Sequence, residues 1–185
     1  FIHLFQYFDI YTTRFKNDTF IQNQRMKHNV FEYNDSCKQH GSLYSTMLPF
    51  PKNTSDHKYL FILDMNNETN TIMGIGFLKN ILSRNQDLNI YDDPSFNNYI
   101  YKSMFYIPIC DLNQNYCENI EPSWIEFIKK EFIQCLFYGK SNLKRGGSFS
   151  RFPMKKLKYI HLKFILSLFI IINPNHFNDI IKVNN

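Results

Sequence analysis

Lys140, Lys144, Arg145, Arg151, Lys155, Lys156, Lys158 and Lys163 lie in a stretch from Phe132 to Asn178 that holds no aspartate or glutamate. A row of cations without an acid among them is equipped to hold an anion. The chain carries a formal net charge of +5, so the residues outside this stretch are net negative and the positive charge is gathered in one block. At its centre, Asn142-Leu143-Lys144-Arg145-Gly146-Gly147-Ser148-Phe149-Ser150-Arg151-Phe152-Pro153 sets two glycines beside two cations. Glycine lets backbone N–H groups come close to a ligand, and the neighbouring charges supply the field that draws it in. Lys140, Lys144, Arg145, Gly146, Gly147, Arg151, Lys155 and Lys156 are therefore the residues expected to bind nucleic-acid phosphates, with Phe149, Phe152 or Tyr159 available to stack on bases. A solvated surface turn accounts for the same cations if they meet only water, and an acidic protein partner or lipid phosphates would also suit them.

Other chemistry is less well supplied. Gly139-Lys140-Ser141 ends like a phosphate-binding P-loop, but Gln134 stands where the motif needs its first glycine, and a helical pattern precedes it instead of a strand. Gly74-Ile75-Gly76 lacks the third glycine of a dinucleotide fingerprint, Lys79 occupying that place. Cys37-Lys38-Gln39-His40 has a C-x-x-H spacing that Cys110 and Cys117 would complete as a metal site, yet burial as small hydrophobes explains cysteines such as Cys110 and Cys135 as well. No metal and no cofactor are expected. Asp64, Glu68, His57, His161, Asp92 and Asp93 are the acid–base candidates, and they form no recognisable constellation. Asp64 reads as a turn or capping residue, Asp92-Asp93-Pro94 as a loop initiator and His161 as a core histidine. No catalytic residue is assigned, and a non-enzymatic protein is the expectation.

The elements that must position the basic block follow from pattern. Tyr59–Met65 and Thr71–Leu78 are apolar runs around the turn cluster Asn66-Asn67-Glu68-Thr69-Asn70, which predicts a β-hairpin. Gly74 and Gly76 fall on one face of its second strand and leave that face bare, open to a bulge, a bend or the close approach of another group. Asn89–Tyr91 and Tyr99–Ile109 are read as further strands, and Lys27–Tyr33 as another, with Asn34–Lys58 a loop. Pro122 at the start, Gly139 past the end and Trp124, Ile125, Phe127, Ile128, Phe132, Leu136 and Phe137 between them describe a long amphipathic helix that feeds into the basic loop. Leu157, Ile160, Phe164, Leu168 and Ile172 recur at helical spacing and predict a C-terminal helix packed on the core. Its apolar run is about half of the ~20 residues that span a bilayer, so no transmembrane segment is expected. A basic amphipathic helix lying on a membrane is the alternative there.

Strands first and helices later argue for an α+β fold with a mainly antiparallel sheet or a small β-barrel, of the kind seen by analogy in modified-base and RNA readers. The 185 residues suit one domain, and 44% hydrophobic content excludes a disordered chain. The expected divisions are an N-terminal extension over 1–24, read as a strand or short helix packed on the main body, a single α+β domain over 25–172 and a C-terminal tail over 173–185. Four cysteines are too sparse for a disulfide scaffold, and residues 1–8 lack the basic region of a secretory signal, so an intracellular setting is expected. Alanine is absent while Asn, Lys, Ile, Phe and Tyr abound, a bias expected of A/T-rich coding. A missing carboxylate therefore says more here than a present lysine.

Three blocks carry a resemblance. Leu63-Asp64-Met65-Asn66-Asn67 with Ile72-Met73-Gly74-Ile75-Gly76-Phe77-Leu78-Lys79-Asn80 form the first, and Ile90-Tyr91 with Asn97-Asn98-Tyr99-Ile100-Tyr101 the second. Leu136-Phe137-Tyr138-Gly139-Lys140 with Leu143-Lys144-Arg145-Gly146 form the third. Together they resemble an uncharacterised protein family of giant nucleocytoplasmic large DNA viruses, over about residues 25 to 155. The chain departs from that pattern at Asn98, where an arginine is expected, and at Asn142, where a histidine is expected. The resemblance implies a viral protein of host cytoplasm or virion and implies no activity. The function expected is a nucleic-acid-binding or modified-base-reading module, with a structural or protein-interaction protein as the alternative.

Overall fold

The computed structural model describes residues 8–30, 40–83, 88–109, 122–140, 142–145, 148–153, 163 and 165–167. Its elements in chain order are β1 (Phe8–Phe15), α1 (Asn17–Val30), β2 (His40–Thr46), β3 (Tyr59–Asn66), β4 (Thr71–Leu82), β5 (Tyr99–Pro108), α2 (Pro122–Phe137) and β6 (Phe149–Arg151). The fold is α+β. One six-stranded sheet runs in the order β2-β5-β4-β3-β1-β6, and every neighbouring pair is antiparallel except β1 with β3.

The β3–β4 hairpin forms because two apolar runs flank a turn that satisfies its own amides. The Asn66 side-chain oxygen accepts from the backbone N–H of Glu68 at 2.9 Å and of Thr69 at 3.2 Å, and Asn70 closes the turn at φ 55°. The same turn caps α1, since a Glu68 carboxylate oxygen accepts from the Asn17 N–H at 2.9 Å, where the helix dipole favours negative charge. α2 ends where Gly139 turns left-handed at φ 82° and the Leu143 N–H returns to the Leu136 carbonyl at 2.8 Å.

Alternation along the strands divides the core into two faces. Phe61, Leu63 and Met65 join Ile75, Phe77 and Ile107 on the outer face, where Phe132, Leu136 and Phe137 of α2 cover them along with Phe152, Ile165 and Leu166. Leu60, Ile62, Tyr11, Leu78 and Tyr101 occupy the inner face, in a cluster to which no described helical residue belongs. The sheet covers this face by curling. Tyr44 on edge strand β2 and Phe149 on edge strand β6 approach to 6.2 Å between ring centroids, and Phe50 stacks on Phe149 at 3.9 Å. Side chains make that closure: β2 and β6 stand at opposite ends of the strand order, so the sheet is open.

Several boundaries differ from expectation. The segment expected as an N-terminal extension contributes β1, an interior strand between β3 and β6, so the main body begins at least as early as Phe8. Lys27 to Val30 are the last residues of α1, not a strand. The expected loop at Asn34–Lys58 contains β2, and Asn89–Tyr91 is not a strand but a segment pinned by Asn97, whose oxygen accepts from the N–H groups of Ile90 and Tyr91 at 3.1 and 3.0 Å. The basic loop itself ends in β6. α2 lies within the expected bounds, and its described side chains show burial at Phe132, Leu136 and Phe137 against exposure at Lys130 and Gln134. Of the expected C-terminal helix, Lys163 and Ile165–Ser167 are described and helical, and the expected tail over 173–185 lies outside the described residues.

Candidate functional site

The loop leaving α2 is held against the end of the sheet. Arg14 Nε donates to the Leu143 carbonyl at 2.6 Å, and Asn67 Nδ2 donates to the Lys144 carbonyl at 3.0 Å. Asn142 bonds back to the Gly139 carbonyl through its side-chain nitrogen at 2.8 Å and accepts the Lys144 N–H at 3.1 Å. The Lys144 ammonium rests on the Asn70 amide oxygen at 2.7 Å, a neutral partner that leaves its charge uncancelled. Lys140 and Arg145 are exposed, and neither is ion-paired among the described residues. Burial lowers the pKa of the Arg14 guanidinium behind them. Glu68 is the nearby acid, committed to the α1 N-terminus.

Arg151 does not join this group. It stands on β6 opposite Tyr11, four residues back along β1 from Phe15 at the turn end, roughly 13 Å at the usual strand rise. Its guanidinium meets Asp9 at 2.5 Å, and Lys58 reaches the other oxygen of the same carboxylate at 2.9 Å. An acid from the N-terminal part of the chain thus answers one of the expected phosphate ligands, although two cations share that one carboxylate. Phe149 and Phe152 are also corrected: both are buried, one stacked on Phe50 and the other packed near Phe132, so neither ring is free for a base. Gly146, Gly147, Lys155, Lys156, Lys158 and Tyr159 lie outside the described residues.

A second polar group lies inside the curl. Asp64 is 1% exposed, on the same face as Leu60 and Ile62, and its register partner on β4 is Gly74. It is not a turn residue; Asn66 has that task. Tyr106 from β5 and Tyr44 from β2 lay their hydroxyls over Gly74 and Gly76, where a Cβ would have no room. Burial pushes the Asp64 carboxyl up to about 8, although the phenols of Tyr44 and Tyr106 and the charge of Lys27 all favour its anion. Lys27 sits 4.1 Å from the Tyr106 ring centroid. Burial likewise raises Tyr44 far above the ordinary phenol range. The Ser42 hydroxyl, the Tyr44 hydroxyl and Asp64 Oδ1 make no well-formed hydrogen bond among the described residues. Burial among phenols thus favours the neutral form of this carboxylic acid.

At the opposite end of the inner face a cleft of about 310 Å³ opens between the Pro49–His57 segment and the end of β4. Pro49, Pro51, Ile81 and Leu82 give it apolar walls, Tyr101 lies beneath, and Lys52, Asp56, His57 and Asn80 stand around it. His57 is left-handed at φ 64°, with its N–H donating to the Asn80 carbonyl at 3.0 Å. Sequence reasoning weighed His57 and Asp64 alone and missed the partners that the sheet brings to each.

No group of three or more His, Cys, Asp or Glu among the described residues could hold a metal ion, and Cys37, Cys110, Cys117 and His161 lie outside them. No described helix is long and apolar enough to cross a membrane. The chain matches no protein-family model, no curated protein and no solved structure.

Proposed function

We propose that the protein is a nucleic-acid-binding module that holds phosphates on the loop around Lys140, Lys144 and Arg145. One observation carries the reading: the Arg14 and Asn67 side chains hold the carbonyls of Leu143 and Lys144 in place, while Lys140, Lys144 and Arg145 have no carboxylate partner among the described residues. A pre-positioned cluster of uncancelled charge binds a polyanion without the entropic cost of first ordering the loop. Arg151 and Lys58 extend the field along the β6 side with one positive charge in excess of Asp9. Modified-base reading belongs to the same proposal. The test is fluorescence anisotropy with single-stranded DNA and RNA over a salt series. Three phosphate contacts give a log–log slope near −2, at about −0.7 per contact. A flat response overturns the reading.

Exposed Met47 and Leu48, beside the cleft in sequence, favour a protein partner as the second reading. On that reading the cations meet an acidic protein of host cytoplasm or virion, in keeping with the viral-family resemblance. Polyglutamate displacing the oligonucleotide at equal charge concentration, whatever the nucleic-acid sequence, distinguishes it from the first.

A further inference from the structure

We propose that the cleft between Pro49–His57 and the end of β4 takes one unpaired nucleobase of a single strand, whose phosphates run past Lys58 and Arg151 toward Lys144. The inference rests on the nucleic-acid reading and adds a base-binding site to it.

The walls suit a flat, mostly apolar ligand. Ile81 is 45% exposed and Leu82 41%, and both line the cleft along with Pro49 and Pro51. Phe50 is not a stacking platform, because Phe149 lies parallel on it at 3.9 Å and the rings of Tyr11 and Tyr101 meet it edge-on at 5.1 and 4.7 Å. A base would therefore slide between prolines and aliphatic side chains. At about 310 Å³ the cleft has room for a base and lies near the lower end of the roughly 300–1,000 Å³ range of small-ligand sites.

The polar groups suit the edge and the backbone of a nucleotide. Asp56 is exposed, has no ion-pair partner among the described residues, and can accept from an exocyclic amine. Asn80, which lines the cleft, donates through Nδ2 to the Ser55 carbonyl at 3.1 Å, and its side-chain oxygen can act as an acceptor. Lys52 stands on the rim, and the Thr54 hydroxyl on the wall bonds to that of Tyr11, the register partner of Arg151. The cleft thus adjoins the Lys58–Asp9–Arg151 group with its surplus cation.

The cleft is also preformed. The Thr54 N–H reaches the Pro51 carbonyl at 2.8 Å, the Lys58 N–H reaches the Ser55 carbonyl at 3.2 Å, and His57 is tied to Asn80. A non-glycine residue held left-handed is the kind of outlier that gathers at ligand sites. From Thr71 at the loop end to Leu82 at the cleft, β4 spans roughly 35 Å, about 10 nucleotides at ~3.4 Å each, so a strand of about 12 is long enough to reach both.

The experiment compares a labelled 12-nucleotide strand, as DNA and as RNA, with an abasic strand of the same length. Three proteins are used: wild type, the neutral double variant Ile81→Ser with Leu82→Ser, and Lys144→Met with Arg145→Met. The cleft variant is expected to weaken binding of the base-bearing strand about tenfold, to leave the salt slope unchanged and to leave the abasic strand unaffected. The loop variant is expected to flatten the slope on both strands. Equal affinity of the wild type for the two strands, or no loss on the cleft variant, overturns the base site while a steep slope keeps the nucleic-acid reading. Free nucleosides provide an arm independent of the loop: NMR shifts confined to the Ile81 and Leu82 methyls support the site even where the strand shows a flat salt response, and unmoved methyls count against it. Thermal melts of both variants matched to wild type show that folding is intact.

Discussion

β4 carries two opposite solutions to the same problem. At its start, Gly74 and Gly76 expose no side chain on the inner face, and phenols from two other strands fill the space to the point where a methyl group would not fit. At its end, Ile81 and Leu82 are large and apolar and are only partly covered by the described residues. The first end is closed around a carboxyl group; the second is open and ringed by charge. Small residues where the sheet is sealed and large apolar ones where it gapes reverse what packing alone would choose. The open end is accordingly the one the proposed base site uses, and the closed end is where substitutions should be felt as packing.

The widest separation between the two ends is in pH dependence. Asp64 has its carboxyl pushed up to about 8 by burial, whereas in the unfolded chain it titrates near the ordinary value of about 4. Between those values the folded state holds a proton that the unfolded state releases. Stability from this group is therefore complete below about pH 4, falls as pH rises, and is gone above about pH 8. Asp64→Asn removes the effect. Urea unfolding of wild type and variant should diverge by up to about 1.4 kcal/mol per pH unit across that window, with the variant gaining on the wild type as pH rises. Parallel curves would mean that the carboxyl reaches water.

Packing gives the next largest difference. Gly76→Ala drives a Cβ into the Tyr44 phenol and should cost about 1–3 kcal/mol, while Leu82→Ala at the exposed end stays within about 0.5 kcal/mol. Similar costs at the two positions would erase the contrast. A smaller effect is expected between the ends, where Arg151→Met removes a half-exposed ion pair and costs about 1 kcal/mol or less. Asp9→Asn should cost more than Arg151→Met, because it leaves Lys58 and Arg151 facing each other without a counter-charge.

The sequence made the hairpin legible because Asn66–Asn70 is a turn cluster between apolar runs, and made the end of α2 legible because glycine is the residue type most at ease at the φ of 82° that Gly139 adopts. It also marked the bare face at Gly74 and Gly76, where the close approach is by tyrosine hydroxyls. β1 was legible only as a strand or short helix against the body, and its interior place was hidden: Phe8-Asp9-Ile10-Tyr11-Thr12-Thr13-Arg14-Phe15 mixes polar residues into both faces, since an interior strand in a curled sheet can seat Asp9 against cations and Thr12 against the Ser150 carbonyl. α1 was hidden because its sequence has little apolar periodicity and its N-terminus is capped from a turn about fifty residues away. The Asp64 site was within reach. Alternation puts Asp64 with Leu60 and Ile62, and the short turn sets it opposite Gly74, but the tyrosines come from strands whose pairing no local pattern encodes. Arg151 looked free for the same reason, its acid lying 142 residues away in sequence.

Lys144 carries the smallest expected effect and the most specific one. Its ammonium contacts only the Asn70 amide among the described residues, so Lys144→Met should change stability by a few tenths of a kcal/mol, as expected for a half-exposed neutral-acceptor bond. Binding should respond differently, because a cation whose charge is not cancelled at home is available to a phosphate. The salt slope on single strands should fall by about 0.7 for this one substitution. Arg151→Met should lower it by less, since part of that charge is already engaged by Asp9. Equal slopes for the two variants would mean that the Asp9 pair opens when a strand binds, and the whole β6 edge would then count as phosphate contact surface.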